Sequence, residues 1–232
     1  MFWYDWSYVI LIPAILLTIY AQARVQSNFK KYSKKRNMRG MTGAQAARRM
    51  LDANGLSDVK IEQISGSLTD HYDPRHRVLR LSQTVYNVDS VAAVSVACHE
   101  AGHAVQHAEA YMPLLMRNNI VPIVNFASQL SWPLILVGLL LLGNGSYLGD
   151  TVFMIGVIAF VAVILFHAVT LPVEFNASSR ALQQMETLGI VGGEEEGGAK
   201  KVLRAAALTY VASLAMAVMN LLRILAIRGN RD

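Results

Sequence analysis

The sequence predicts a mainly α-helical membrane protein with about four transmembrane helices and a small β-sheet. Three observations predict it. Apolar residues make up 53% of the 232 and charged residues only 16%, an imbalance unusual for a soluble domain. Apolar stretches of membrane-crossing character recur along the chain. Between the first and second of them lie short strand-like runs bounded by turn residues.

Tyr8 to Ala21 (YVILIPAILLTIYA), behind Trp3, Tyr4 and Trp6, reads as a first membrane helix with an aromatic belt. The positive charge comes after this segment rather than before it, which is the reverse of a cleaved signal peptide. Residues 1–23 are therefore expected to be an uncleaved anchor with its N-terminus outside. From Arg24 to Arg49 there are nine Lys or Arg and no Asp or Glu, a juxtamembrane basic run that holds the next part of the chain in the cytoplasm. The net charge of +5 comes with no aromatic-basic interleaving and no nucleic-acid reader motif, so the expected partner is a lipid bilayer, not nucleic acid.

Residues 24–118 form the expected cytoplasmic part. Thr42 to Gln45 has capping-box spacing and opens a helix that stops near Gly55. Val59 to Ile64 reads as a strand. Leu68 to Tyr72 and Val78 to Leu81 flank the turn signal Asp73-Pro74-Arg75-His76, and Val78 to Leu81 is a candidate edge strand for pairing with an extended peptide. Ser90 to about Ala110 is a helix with an apolar face of Val91, Val94, Ala97, Ala101 and Ala104. Residues 119–171 are an expected transmembrane hairpin: Asn118 to Leu142 and Thr151 to Leu171, joined by an external turn without Lys or Arg. Residues 172–232 hold a helix starting at Glu174 after Leu171-Pro172-Val173, a flexible acidic loop from Gly192 to Gly198, and a fourth apolar helix from Ala205 to Ile227. Thr209, Tyr210, Ser213, Asn220 and Arg223 interrupt this last one, so it can be a span or a buried core helix.

The chemistry-bearing motif is His99-Glu100-Ala101-Gly102-His103. Histidines four apart on a helix stack one turn above the other and can grip one zinc ion. The metal acidifies a bound water, and Glu100 lies between the histidines as its base. Three protein ligands are the usual count for catalytic zinc. Glu109 comes ten residues after His99, but position 106 is Gln and nothing breaks the helix there, so it lies about 15 Å along. His107, about 12 Å along by the same rise, cannot join the other two and reads as a polar neighbour or surface residue. Glu174 can be presented by a second helix, or can be an ordinary helix-start carboxylate favoured by the dipole. Spacing alone leaves those two readings level.

Several segments resemble the YugP-like neutral zinc metallopeptidases of bacterial membranes. They are Leu68 to Pro74 (LTDHYDP), Val78 to Ser82 (VLRLS), His99 to His107 (HEAGHAVQH), Thr170 to Ser178 (TLPVEFNAS) and Ala205 to Ala212 (AAALTYVA). Their order and spacing cover nearly the whole chain. The resemblance implies a zincin-like metallopeptidase core and Zn2+ as cofactor. It is distantly similar to the HtpX-like and CAAX-prenyl membrane proteases, which pair the HExxH helix with a Glu on a later helix in a Glu-x-x-x-Asp pattern. This implies Glu174 as third ligand. Ser178 stands where that pattern has Asp, and its hydroxyl can still hydrogen-bond an imidazole without supplying charge.

The expected protein is thus a multi-pass cell-membrane zinc endopeptidase. His99, His103 and Glu174 hold the metal, Glu100 is the catalytic base, and the substrate is a peptide or membrane protein met near the cytoplasmic surface. Tyr210 and His71 are candidates for steadying the oxyanion, and His167 is an ionisable residue at a membrane segment. Cys98 reads as a core thiol. The Asp70-His71-Tyr72-Asp73 cluster reads as a strand and turn, since alternate residues face opposite sides. Two alternatives stand beside this reading. An intramembrane site-2-type protease needs an Asp ligand in a later span, where only Asp150 is near. A zinc-stabilised scaffold has no need of Glu100.

Overall fold

A computed structural model describes residues 6–229; Trp3 and Tyr4 of the expected aromatic belt lie outside them. After a short 3-10 turn, Trp6–Leu11, come α1 (Ile12–Tyr32), α2 (Gly43–Ala53), β1 (Lys60–Ile64), β2 (His71–Asp73) and β3 (Val78–Ser82). The remaining elements are α3 (Val91–Ala108), α4 (Met112–Gly143), α5 (Tyr147–Thr187) and α6 (Glu194–Gly229). The protein is mainly helical with one three-stranded sheet. Four segments are long and apolar enough to cross a membrane: Trp6–Tyr32, α4, α5 and α6. The chain divides into two compact units. One comprises the residues up to Tyr20, Met116–Leu171 and those from Thr209 onward; the other comprises Ala21–Leu115 and Pro172–Leu208.

The first unit has a small apolar core of Ile135, Phe153, Val157, Phe160 and Ile224. Ile123, Phe126, Leu140, Ile158 and Leu165 leave large apolar surfaces exposed, as a lipid-contacting segment requires. Asp150 pairs with Arg228 at 2.7 Å. The Arg223 guanidinium lies 3.7 Å from the Tyr8 ring centroid and its Nε donates to Ser7 Oγ at 3.1 Å.

The second unit is built as the local signals direct. Thr42 Oγ1 accepts from the Gln45 N–H, and the Gln45 side chain accepts from the Thr42 N–H, completing the capping box of α2; such a cap contributes about 1 kcal/mol. Ser90 Oγ caps α3 through the Ala93 N–H at 3.1 Å. Helix α2 packs on α3, burying Ala46, Ala47, Met50 and Leu51 with Val94, Ala97, Cys98 and Ala101 in one core. Most of α3 is buried on every side, which makes it the central post of the unit.

Three expectations need correction. The strand order is β1-β3-β2, with β3 parallel to β1 and antiparallel to β2. Strand β3 is therefore central, not an edge, and Val78, Leu79, Leu81 and Ser82 are all buried. The outer strands are β1 and β2. Second, Pro172 does not separate two helices but lies inside the single helix α5. A proline removes one helical N–H and costs about 3 kcal/mol in a helix interior. Beyond it Val173, Glu174, Ala177, Ser178, Ala181 and Met185 form a buried stripe at helical spacing, which holds the helix together. Third, the acidic stretch is not a loop. Glu194, Glu195 and Glu196 are the first turn of α6, where carboxylates suit the helix dipole. Glu195 also accepts from the Met38 N–H at 2.7 Å and the Gly192 N–H at 3.3 Å.

Candidate metal centre

The second unit brings His99 and His103 of α3 against Glu174 of α5. One donor atom from each lies within 4.8 Å of the others, and this is the one such metal-capable group among the described residues. Glu174 Oε2 lies 3.3 Å from His99 Nε2 and 3.6 Å from His103 Nε2. The imidazoles meet edge to face, 4.8 Å between centroids. Donors roughly 2.0–2.2 Å from a tetrahedral zinc stand about 3.3–3.6 Å apart. The two separations fit that requirement.

Gly102 explains how α5 comes so close. A Cβ there would stand 2.8 Å from the Ala177 carbonyl oxygen and 3.4 Å from the Ala177 Cα and carbonyl carbon. The glycine within the motif lets the backbone of α5 lie directly on α3, with Glu174 one turn before Ala177. Gly102→Ala is expected to gain about 1 kcal/mol of helix propensity but to incur about 1–3 kcal/mol of overpacking against backbone. Net destabilisation and weaker zinc retention are the expected result, read by thermal unfolding and chelator competition; an unchanged zinc affinity would show that this approach is not needed.

The Nδ1 atoms point away from Glu174 and are engaged. His99 Nδ1 lies 3.2 Å from Ser178 Oγ, and His103 Nδ1 lies 2.9 Å from Gln106 Oε1. Both Nε2 atoms thus face the carboxylate. Ser178, expected as the uncharged stand-in for an Asp, does reach an imidazole.

Glu100 is half-buried on α3. Burial pushes its carboxyl up to about 7, with the Glu174 and Asp70 carboxylates raising it and His99 and the Tyr72 main-chain N–H acting the other way. A cation held beside it inverts that balance and favours the carboxylate. Asp70 is also raised by burial, against bonds from the Ser82 N–H at 2.7 Å and the Ser82 hydroxyl at 3.0 Å. Tyr72, one position before the end of edge strand β2, meets His107 Nδ1 through its hydroxyl at 3.0 Å.

The other candidates fall elsewhere. Glu109 caps the end of α3 and pairs with Arg180 at 2.7 Å, away from the histidines. His107 is bonded to Tyr72, as a polar neighbour would be. His71 is exposed, its Nδ1 2.9 Å from the Thr69 carbonyl. Asp73 is engaged by Arg80 and His76, both at 2.7 Å, and these hold its carboxyl well below the usual range. His167 packs on Phe166 and, like Tyr210, belongs to the first unit. Cys98 is fully buried, and burial pushes its thiol up to about 12, fitting an inert core residue.

A family profile described as "Putative neutral zinc metallopeptidase" matches residues 7–229. The chain belongs to that family. Among curated proteins it is similar to "Putative membrane protease YugP" of Bacillus subtilis (strain 168), at 51% identity over 212 residues, 91% of this chain and 92% of that one. No solved structure matches it significantly. Membership in a zinc metallopeptidase family agrees with a cluster of two imidazoles and a carboxylate, the borderline donor set that zinc takes. Sequence reasoning missed Gly102 as a packing residue and Gln106 as a partner of His103. The second was legible, since positions 103 and 106 share a helix face.

Proposed function

We propose that this protein is a membrane-bound zinc endopeptidase whose ion is held by His99, His103 and Glu174. The observation that carries the proposal is the convergence of both Nε2 atoms on Glu174 Oε2 at 3.3 and 3.6 Å, with Glu100 on the adjoining face of α3. When bound, zinc supplies an acidified water and a Lewis acid for the scissile carbonyl. Glu100 accepts the water's proton and passes it to the leaving amine. His99 and His103 are held by Ser178 and Gln106 so that neither ring needs to turn. Strand β2 is an outer strand of the sheet, and its Tyr72 main-chain N–H bonds Glu100. An extended peptide laid beside that strand passes the base. The name of the Bacillus subtilis relative, a membrane protease, supports peptide or membrane-protein substrates.

The experiment is proteolysis of an unfolded polypeptide by the detergent-solubilised protein. A strong chelator is expected to abolish cleavage, and stoichiometric zinc to restore it. Cleavage that survives complete removal of zinc would exclude the reading.

The proposed site faces the cytoplasm close to the membrane surface. Support comes from the basic run after the first span and from chain order: Glu174 comes three residues after Leu171 in the same helix. In a Cys98→Ser background, a thiol probe is expected to label Ser65→Cys only after permeabilisation and Asn144→Cys in intact cells. The opposite pattern would place the site outside.

A further inference from the structure

Gln106 is fully buried among the alanines and valines of α3, where an amide is tolerated only if its donors and acceptor are all satisfied. Its Nε2 donates to the Val173 carbonyl at 2.8 Å and to Asn176 Oδ1 at 2.9 Å. Its Oε1 lies 2.9 Å from His103 Nδ1. Each direction is forced. The Val173 carbonyl can only accept. Arg180, which can only donate, gives its Nε–H to Asn176 Oδ1 at 2.7 Å, so that atom is an acceptor too. The amide must therefore turn its oxygen to His103, and His103 must carry a proton on Nδ1. A neutral ring so bonded leaves Nε2 with its lone pair, on the side of Glu174. Arg180 is in turn held by Glu109 at 2.7 Å. His99 lacks such a constraint, because the Ser178 hydroxyl can either donate or accept.

We infer that Gln106 is a positioning residue that fixes His103 in its Nδ1–H tautomer with Nε2 turned to the metal, and that Arg180 sets the orientation of Gln106 through Asn176. The inference rests on the proposed zinc centre. It also gives Glu109 a role in this family member: an anchor for the far end of the chain of bonds, not a ligand. The bonds link α3 to α5 at Val173 and Asn176, next to Glu174, so the same amide aligns ligands from both helices.

The test uses the full chain in detergent, loaded with zinc. Histidine 15N NMR reports which nitrogen is protonated, and chelator competition reports affinity. In wild type, His103 is expected to show a protonated Nδ1 and a metal-bound Nε2. Gln106→Leu is expected to weaken zinc binding about 10–100-fold. Gln106→Glu keeps an acceptor for the Nδ1–H but loses the amide donor to Val173 and Asn176, and is expected to recover most of that loss. A purely structural role, tying α3 to α5, requires the Glu variant to be as impaired as the Leu variant, and that result would overturn the inference. So would metal on Nδ1 of His103 in wild type, a reading that stands even if Gln106→Leu does not fold. Wild type that takes no zinc removes the metallopeptidase reading and this inference together. Full affinity in Gln106→Leu removes this inference alone.

Discussion

Glu100→Gln is expected to bind zinc as wild type does and to cleave peptide about 10²–10⁴-fold more slowly, the usual worth of a general base. Its carboxylate is not among the donors that converge, which are the Nε2 atoms of His99 and His103 and Oε2 of Glu174. The amide has nearly the same shape and cannot take a proton, so packing around α3 is preserved while the chemistry is not. Metal analysis and initial rates on the same preparation separate the two effects. Full activity in this variant would remove Glu100 from the mechanism, and loss of zinc would make it a ligand.

The other large effect is expected at the third ligand. Glu174→Ala removes a buried carboxylate that faces both histidines, and zinc affinity is expected to fall by more than the roughly 10–100-fold typical of an outer hydrogen-bond partner. Glu109→Ala removes one half of an ion pair whose carboxylate is 53% exposed. Such pairs contribute about 0–1 kcal/mol, so zinc retention is expected to change only a few-fold. The contrast is sharp because Glu174 faces both histidines whereas Glu109 pairs with Arg180. A larger loss in Glu109→Ala than in Glu174→Ala would reverse the assignment.

The fold class was legible because hydropathy and length decide it: α4 and α5 contain the two apolar stretches that define the expected hairpin. The cap of α2 was legible because it is short-range, since Thr42 and Gln45 act within three residues of each other. What sequence could not supply was non-local. Strand order depends on β1 pairing parallel to β3, and nothing in Val78 to Leu81 alone distinguishes a central strand from an edge. At Pro172 a reliable local rule was overridden by the buried stripe beyond it. The acidic residues 194–196 looked like a loop because their glycines break helices in isolation, whereas Glu195 is held in the first turn of α6 by Met38 and Gly192. At the centre itself, the pair His99 and His103 was readable from periodicity. Glu174 came from resemblance alone. Gln106 was seen only as the absence of a helix breaker, when its amide is the partner of His103.

One zinc ion is expected between α3 and α5, on His99, His103 and Glu174. Anomalous scattering measured across the zinc edge, on crystals of the zinc-loaded full chain, tests it most directly. One peak is expected, bonded to the Nε2 atoms of both histidines and to the Glu174 carboxylate, with Glu100 beside it and unbonded. A peak held instead by other residues, such as His71 or His76 with Asp73, or no peak within reach of α3, would exclude this placement of the ion.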